Sequence, residues 1–96
     1  MTKADLVSRI SEKTGIERQD VQATVEAFME SVRDSLESGH NVYLRGFGSF
    51  VIKRRAKKTG RDILKNKTIE IPAHNIPSFK PAKSFMDNVK SKVAAN

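Results

Sequence analysis

Residues 42–58 read Val42-Tyr43-Leu44-Arg45-Gly46-Phe47-Gly48-Ser49-Phe50-Val51-Ile52-Lys53-Arg54-Arg55-Ala56-Lys57-Lys58, and two changes of pattern inside this stretch decide the fold. Val42 and Leu44 share one strand face, Gly46-Phe47-Gly48 interrupts at a turn, and Phe50 and Ile52 share a face with Val51 opposite. Beyond Ile52 the strand continues with almost nothing to bury. Five of the six residues from Lys53 to Lys58 are cationic, and only Ala56 is apolar. A strand that gives up its apolar face while gaining charge has left the core and become an arm.

Working outward towards the C-terminus, Thr59-Gly60-Arg61-Asp62 reads as the approach to a turn. Thr68-Ile69-Glu70-Ile71 returns as a strand, and Pro72 suits an edge position where no N–H is required. The whole excursion, Lys53 to Asn75, offers only Ile63, Leu64, Ile69 and Ile71 as sizeable apolar residues, too few for a separate core. An isolated two-stranded ribbon is marginal in water, so the arm is expected to be ordered by what it grips. Strand alternation points Lys53, Arg55 and Lys57 one way and Arg54 and Lys58 the other, which makes both faces cationic. Such a ribbon suits a groove with phosphates on either side. Ile76-Pro77-Ser78-Phe79 forms a third extended piece, and Pro81 closes it near a helix start. Phe85, Val89 and Val93 then recur every four residues along a short C-terminal helix.

Towards the N-terminus, Thr2 and Asp5 form a capping-box-like helix start. Leu6, Val7 and Ile10 follow on one face, and Gly15 supplies a stop. Val21, Val25, Phe28, Met29, Val32 and Leu36 trace the apolar stripe of a second, longer helix that ends by Gly39. Phe28 is therefore a core residue. The element order is ααβββα, an α+β chain without an internal repeat.

The chain has 96 residues, 38% of them hydrophobic, with no tryptophan and no cysteine. A chain of this size buries only about 60–65% of its unfolded surface, so oligomerisation is the expected way to complete the core. No apolar run approaches the ~20 residues of a membrane span, and the N-terminus is polar; a soluble intracellular protein is expected. The formal charge is +7, but its distribution matters more. Residues 1–44 carry −3, residues 45–83 carry +9, and residues 84–96 carry +1. One central segment thus holds the whole excess, the footprint of a polyanion-binding surface.

Other classes fit less well. His40 and His74 have no cysteine or second histidine at metal-ligand spacing, so neither a metal nor a catalytic site is expected, and no cofactor. No nucleophile elbow, P-loop or dinucleotide fingerprint occurs. The long helix has an acidic outer face, unlike a membrane-surface helix. An RNA-binding or ribosomal-type basic protein is the alternative, but its stacking aromatics are missing, because the five Phe and one Tyr fall in apolar patterns. Double-stranded DNA is the expected partner, with RNA at most a secondary ligand.

Arg45-Gly46-Phe47-Gly48-Ser49-Phe50, together with Met1-Thr2-Lys3, Thr59-Gly60-Arg61 and Ile76-Pro77-Ser78-Phe79-Lys80-Pro81, resembles the bacterial HU / integration host factor family of histone-like DNA-bending proteins. The resemblance covers essentially the whole chain. It implies one domain over residues 1–96, folded as an intertwined dimer with a helical body, a β-sheet saddle and a protruding β-ribbon arm from each subunit. In that frame residues 1–39 form the helical dimerisation region, 40–52 and 76–81 the saddle strands, 53–75 the DNA-gripping arm and 82–96 the C-terminal helix. Phe47, Phe50 and Phe79 join Phe28 in the dimer core. Lys3, Lys80 and Lys83 face phosphates from the body. Lys53, Arg54, Arg55, Lys57, Lys58, Arg61, Lys65 and Lys67 run along the arm.

At the arm tip the family usually carries Arg-Asn-Pro, whose proline wedges between base pairs. Here Arg61-Asp62-Ile63 stands instead, and the expected wedge is Ile63, since apolar side chains of several kinds unstack base steps. Arg45 is similar to an arginine of the β-type subunit of integration host factor that helps recognise bases. Minor-groove readout is mostly A·T against G·C, so weak or shape-based preference is expected. The partner subunit is a second copy of the chain or a paralogue, and the expected location is the nucleoid in the bacterial cytoplasm.

Overall fold

The computed structural model of the chain describes residues 1–62 and 67–95, the side chains of 61, 62 and 67 excepted. Helix α1 spans Lys3–Thr14 and starts on the expected capping box. The Asp5 N–H donates to Thr2 Oγ1 at 3.2 Å, and the Thr2 N–H donates to Asp5 Oδ2 at 2.9 Å. Two of the helix's orphan donors are thereby satisfied. Gly15 ends the helix in the left-handed region at φ 76°, donating its N–H to Ser11 O. Helix α2 spans Arg18–Glu37 and carries the apolar stripe that begins at Val21.

Strand β1, Val42–Leu44, turns through 45–47 into β2, Gly48–Arg55. Three further elements follow the arm sequence: β3 at Lys58–Asp62, β4 at Lys67–Ile71 and β5 at His74–Pro81. Helix α3, Lys83–Lys92, completes the chain. The strands form two sheets, β1-β2-β5 and β3-β4, antiparallel throughout. In the larger sheet Val42 pairs with Phe50 and Phe50 with Phe79, so these three side chains share a face. Phe50 and Ile52 line one apolar cavity with Phe28 of α2, which identifies this face as the one turned to the helices.

The sequence pattern treats Lys53–Lys58 as one unbroken strand, and the structure differs. Pairing ends at Arg55 opposite His74, and residues 56 and 57 lie outside any strand, as do Pro72 and Ala73 across from them. Pro72 has no N–H to give a ladder, so both strands leave the sheet here and pairing resumes in β3-β4. The side-chain alternation therefore restarts at Lys58 rather than running through.

The core of one chain is very small. Among the described residues only Val7 and Val21 are buried hydrophobics, at 1% and 3% exposure. The chain exposes 8354 Å², against about 5,500 Å² for a compact monomer of its mass. Its radius of gyration is 18.8 Å, where roughly 12–13 Å is ordinary for this length. Phe28, Met29, Phe47, Met86 and Val89 all stand more than 40% exposed. No helix among the described residues is long and apolar enough to cross a membrane.

Candidate nucleic-acid interface

Because strand side chains alternate, the sheet face turned away from α2 is set by the same register that packs Phe50 inward. That outer face carries the cross-strand row Tyr43, Ser49 and Lys80, then Val51 with Ser78, then Lys53 paired with Ile76, and at the arm root Arg55 with His74. No acidic residue occurs anywhere in β1, β2 or β5. Lys53, Arg55 and Lys80 are exposed, so their charge projects into solvent without a carboxylate among the sheet's own residues. An uncompensated cationic face of this kind raises the local concentration of polyanions.

The turn that leads into the face is shaped by two glycines. Gly46 adopts φ 83°, which an L side chain rarely enters. Gly48 is buried against its neighbour strand: a Cβ there would lie 2.5 Å from Lys80 O and 2.6 Å from the Phe79 ring. Arg45 is exposed beside this turn. The Phe47 ring lies 5.2 Å from Phe79 and 5.5 Å from Phe85, and Phe79 lies 5.0 Å from Phe50. Phe85 thus joins the three expected phenylalanines in one cluster at the sheet–α3 junction. Ala82 fixes that junction by donating its N–H to Phe47 O at 2.9 Å. Lys83, the first residue of α3, is exposed beside it.

Phe28 lies elsewhere, half-exposed in an apolar cavity of about 600 Å³ between α2 and the sheet. Met29, Val32, Leu36, Phe50, Ile52, Ile76 and Pro77 share its apolar lining. The predicted core phenylalanines therefore fall on a ring cluster and an open cavity wall, with Phe50 belonging to both.

In the arm, β3 pairs with β4 so that Thr59 opposes Glu70 and Arg61 opposes Thr68. Lys58 is exposed, as is Arg54 on the other face of β2. Lys57 is not a free cation, because its ammonium is ion-paired with Glu70. Ile63 and Lys65 lie outside the described residues, and for Arg61 and Lys67 the strand pairing is the extent of the description.

Lys3 is also paired. Its Nζ donates to Glu26 Oε1 at 2.8 Å, with both side chains about half exposed. This Lys3 hydrogen bond, aided by Gln22 and by the lysine's charge, holds the Glu26 carboxyl below its ordinary value of 4.5. The partners are 23 residues apart, so no local sequence signal announces the pair. His74 likewise enters the arm root unannounced, its Nδ1 3.0 Å from Pro72 O.

Comparison with known proteins agrees with this geometry. The family model described as bacterial DNA-binding protein matches residues 1–90. The DNA-binding protein HU of Thermus thermophilus is 41% identical over 90 residues, covering 94% of this chain and 93% of that protein. HU of Geobacillus stearothermophilus is 37% identical over 90 residues, 94% of this chain and all of that one (100%). Among solved structures, an Anabaena HU–DNA cocrystal matches with a TM-score of 0.88 at 35% identity, covering 93% of this chain and 97% of that chain. HU from Thermotoga maritima matches with a TM-score of 0.64 at 26% identity, over 93% and 98% of the two chains.

Proposed function

The chain belongs to the bacterial DNA-binding protein family that includes HU, and on that premise we propose that a homodimer of it grips double-stranded DNA between its arms and bends the duplex across its sheet face. Proteins of this family are architectural and non-enzymatic, and they act as dimers. A second copy accounts for the poor closure of the single chain: it covers the half-exposed apolar residues and the cavity beside Phe28. Lys53, Arg54, Arg55, Lys58, Arg61, Lys65 and Lys67 neutralise phosphates along the arm in this reading. Arg45, Lys80 and Lys83 do so from the body, while Lys3 and Lys57 share their charge with Glu26 and Glu70. Ile63 is the wedge at the base step that kinks. The location that follows is the nucleoid in the bacterial cytoplasm.

The observation that carries the reading is the acid-free cationic sheet face, which runs to Arg55 and His74 at the root of the arm. A dimer carries +14, twice the +7 of one chain. If about ten phosphates are neutralised, log K falls with log salt at a slope near −9. Bending a short site costs roughly 1–10 kcal/mol, offset by the contacts that the bend permits along the body.

The test is energy transfer across a doubly end-labelled duplex of about 35 bp, titrated with protein. The straight duplex separates its ends by about 120 Å, and a right-angle bend at its centre reduces this to about 85 Å. A rise in transfer that saturates at one dimer per duplex is expected. Tight, salt-sensitive binding with unchanged transfer would replace bending by coating.

A further inference from the structure

The chain contains one tyrosine and no tryptophan, and that tyrosine stands 72% exposed on the outer sheet face. Tyr43 occupies the same cross-strand row as Ser49 and Lys80. The tyrosine therefore does not lie in an apolar pattern as its spacing suggests: its ring is left in water on a cationic, acid-free face and serves no core. Its hydroxyl is held in a defined way. The Ile52 N–H donates to Asn41 Oδ1 at 3.0 Å, which extends the β1–β2 ladder by one side chain and fixes which end of the amide faces the sheet. The Asn41 amide nitrogen is therefore free to donate, and it lies 3.2 Å from the Tyr43 hydroxyl oxygen.

This arrangement sets the polarity of the phenol. With a donor already directed at its oxygen, Tyr43 keeps its own proton to donate outward. The strands of this sheet supply no carboxylate to receive it. A duplex supplies phosphate oxygens in abundance, and neutral hydroxyl donors are ordinary phosphate partners. We propose that Tyr43 is a DNA-contacting residue of the saddle, donating its O–H to a backbone phosphate with its ring against the adjoining sugar, and that Asn41 is its positioning residue. This rests on the duplex-binding reading above and adds to it a contact made without charge. A neutral contact has a distinct signature: it contributes affinity but releases no counterion.

With no tryptophan and no second tyrosine, emission excited beyond the phenylalanine absorption band reports on Tyr43. In the wild-type protein, acrylamide quenching of tyrosine emission should be efficient when free and fall several-fold on saturation with the 35 bp duplex. Tyr43→Phe keeps the ring and removes the proton. It should weaken binding about tenfold or more at fixed salt, since two copies act per dimer. The salt slope should stay unchanged, the loss should be equal on A·T-rich and G·C-rich duplexes as a phosphate contact requires, and the melting temperature of the free protein should not move. Asn41→Ala should weaken DNA binding in the wild-type background and add nothing in the Tyr43→Phe background, whereas equal losses in both would make Asn41 a ladder residue only and overturn its positioning role.

If wild type binds and bends DNA while Tyr43 stays quencher-accessible, or Tyr43→Phe binds as tightly as wild type, the inference fails and the duplex-binding reading survives. A loss confined to A·T-rich duplexes overturns the phosphate assignment in favour of a base edge. Quenching already suppressed in the DNA-free dimer means the partner subunit covers the ring, which also overturns the inference. Wild type that binds no duplex at all removes both readings together.

Discussion

Replacing Lys53 and Arg55 together by alanine separates cations that meet DNA from cations that merely accompany it. Both side chains stand exposed on the acid-free sheet face, and neither is among the ion pairs of the described residues. A dimer of the double variant loses four positive charges. If each neutralises one of about ten contacted phosphates, six contacts remain and the slope of log K against log salt moves from near −9 to about −5.4. Between 50 and 200 mM salt the parent then loses affinity by about 10⁵, and the variant by only about 10³. Lys57→Ala provides the control, because that ammonium is already engaged by Glu70. Its slope should change by less than about one, the cation having released few counterions of its own.

The assay is fluorescence anisotropy of a labelled 35 bp duplex at five or more salt concentrations. Circular dichroism of the free variants would show that the exposed substitutions leave the fold intact. An unchanged slope for the double variant would remove Lys53 and Arg55 from the interface. A Lys57→Ala slope of about −7.2, the loss of two full contacts per dimer, would mean that the Glu70 pair opens on binding and that the free-state ion pair does not mark a non-contacting lysine.

The remaining predictions concern stability. Gly48→Ala should destabilise the protein by about 1–3 kcal/mol in chemical denaturation, because the new methyl group meets Lys80 O and the Phe79 ring; an unperturbed midpoint would mean that the β2–β5 contact relaxes freely. The melting temperature should rise with protein concentration, since the folded state requires two chains to cover its apolar surface, and a concentration-independent value would argue for a self-sufficient monomer. Glu26 has a folded-state pKa below 4.5, so the stability it lends is present above that pH and is lost as pH falls through the lower folded value. Glu26→Gln should flatten the acid limb of stability in this window, and an identical acid limb would show the Lys3 pair to be thermodynamically silent.

What the sequence discloses depends on whether the physics is local. The α2 stripe from Val21 to Leu36 and the Thr2–Asp5 cap are legible because helical periodicity and capping act within a few residues. The charge of the arm is legible because alternation with no apolar member leaves no packed alternative. The departure of both strands from the sheet after Arg55 is not, for it depends on Pro72 arriving opposite Ala56-Lys57, a matter of register rather than spacing. The Lys3–Glu26 and Lys57–Glu70 pairs are hidden for the same reason: they join residues far apart in the chain, and like-looking lysines divide into paired and unpaired only in three dimensions. Asn41 is hidden as well, since the amide that faces Tyr43 is oriented by the Ile52 N–H, eleven residues along the chain.

The two oddities of the single chain have one physical origin. Phe28, Met29 and Phe47 are too exposed to stabilise a monomer, while Lys53, Arg55 and Lys80 crowd one face with like charge that opposes folding. Each cost is offset from outside the chain, the first by a second copy and the second by a polyanion. Dimerisation comes first in this order, because a second copy fixes the spacing between the two cationic faces before either meets phosphate. Phe28→Ala should therefore lower the dimer fraction in sedimentation and, with it, energy transfer on the duplex, whereas the Lys53 and Arg55 double alanine variant should sediment as wild type; a monomeric double variant would refute this separation.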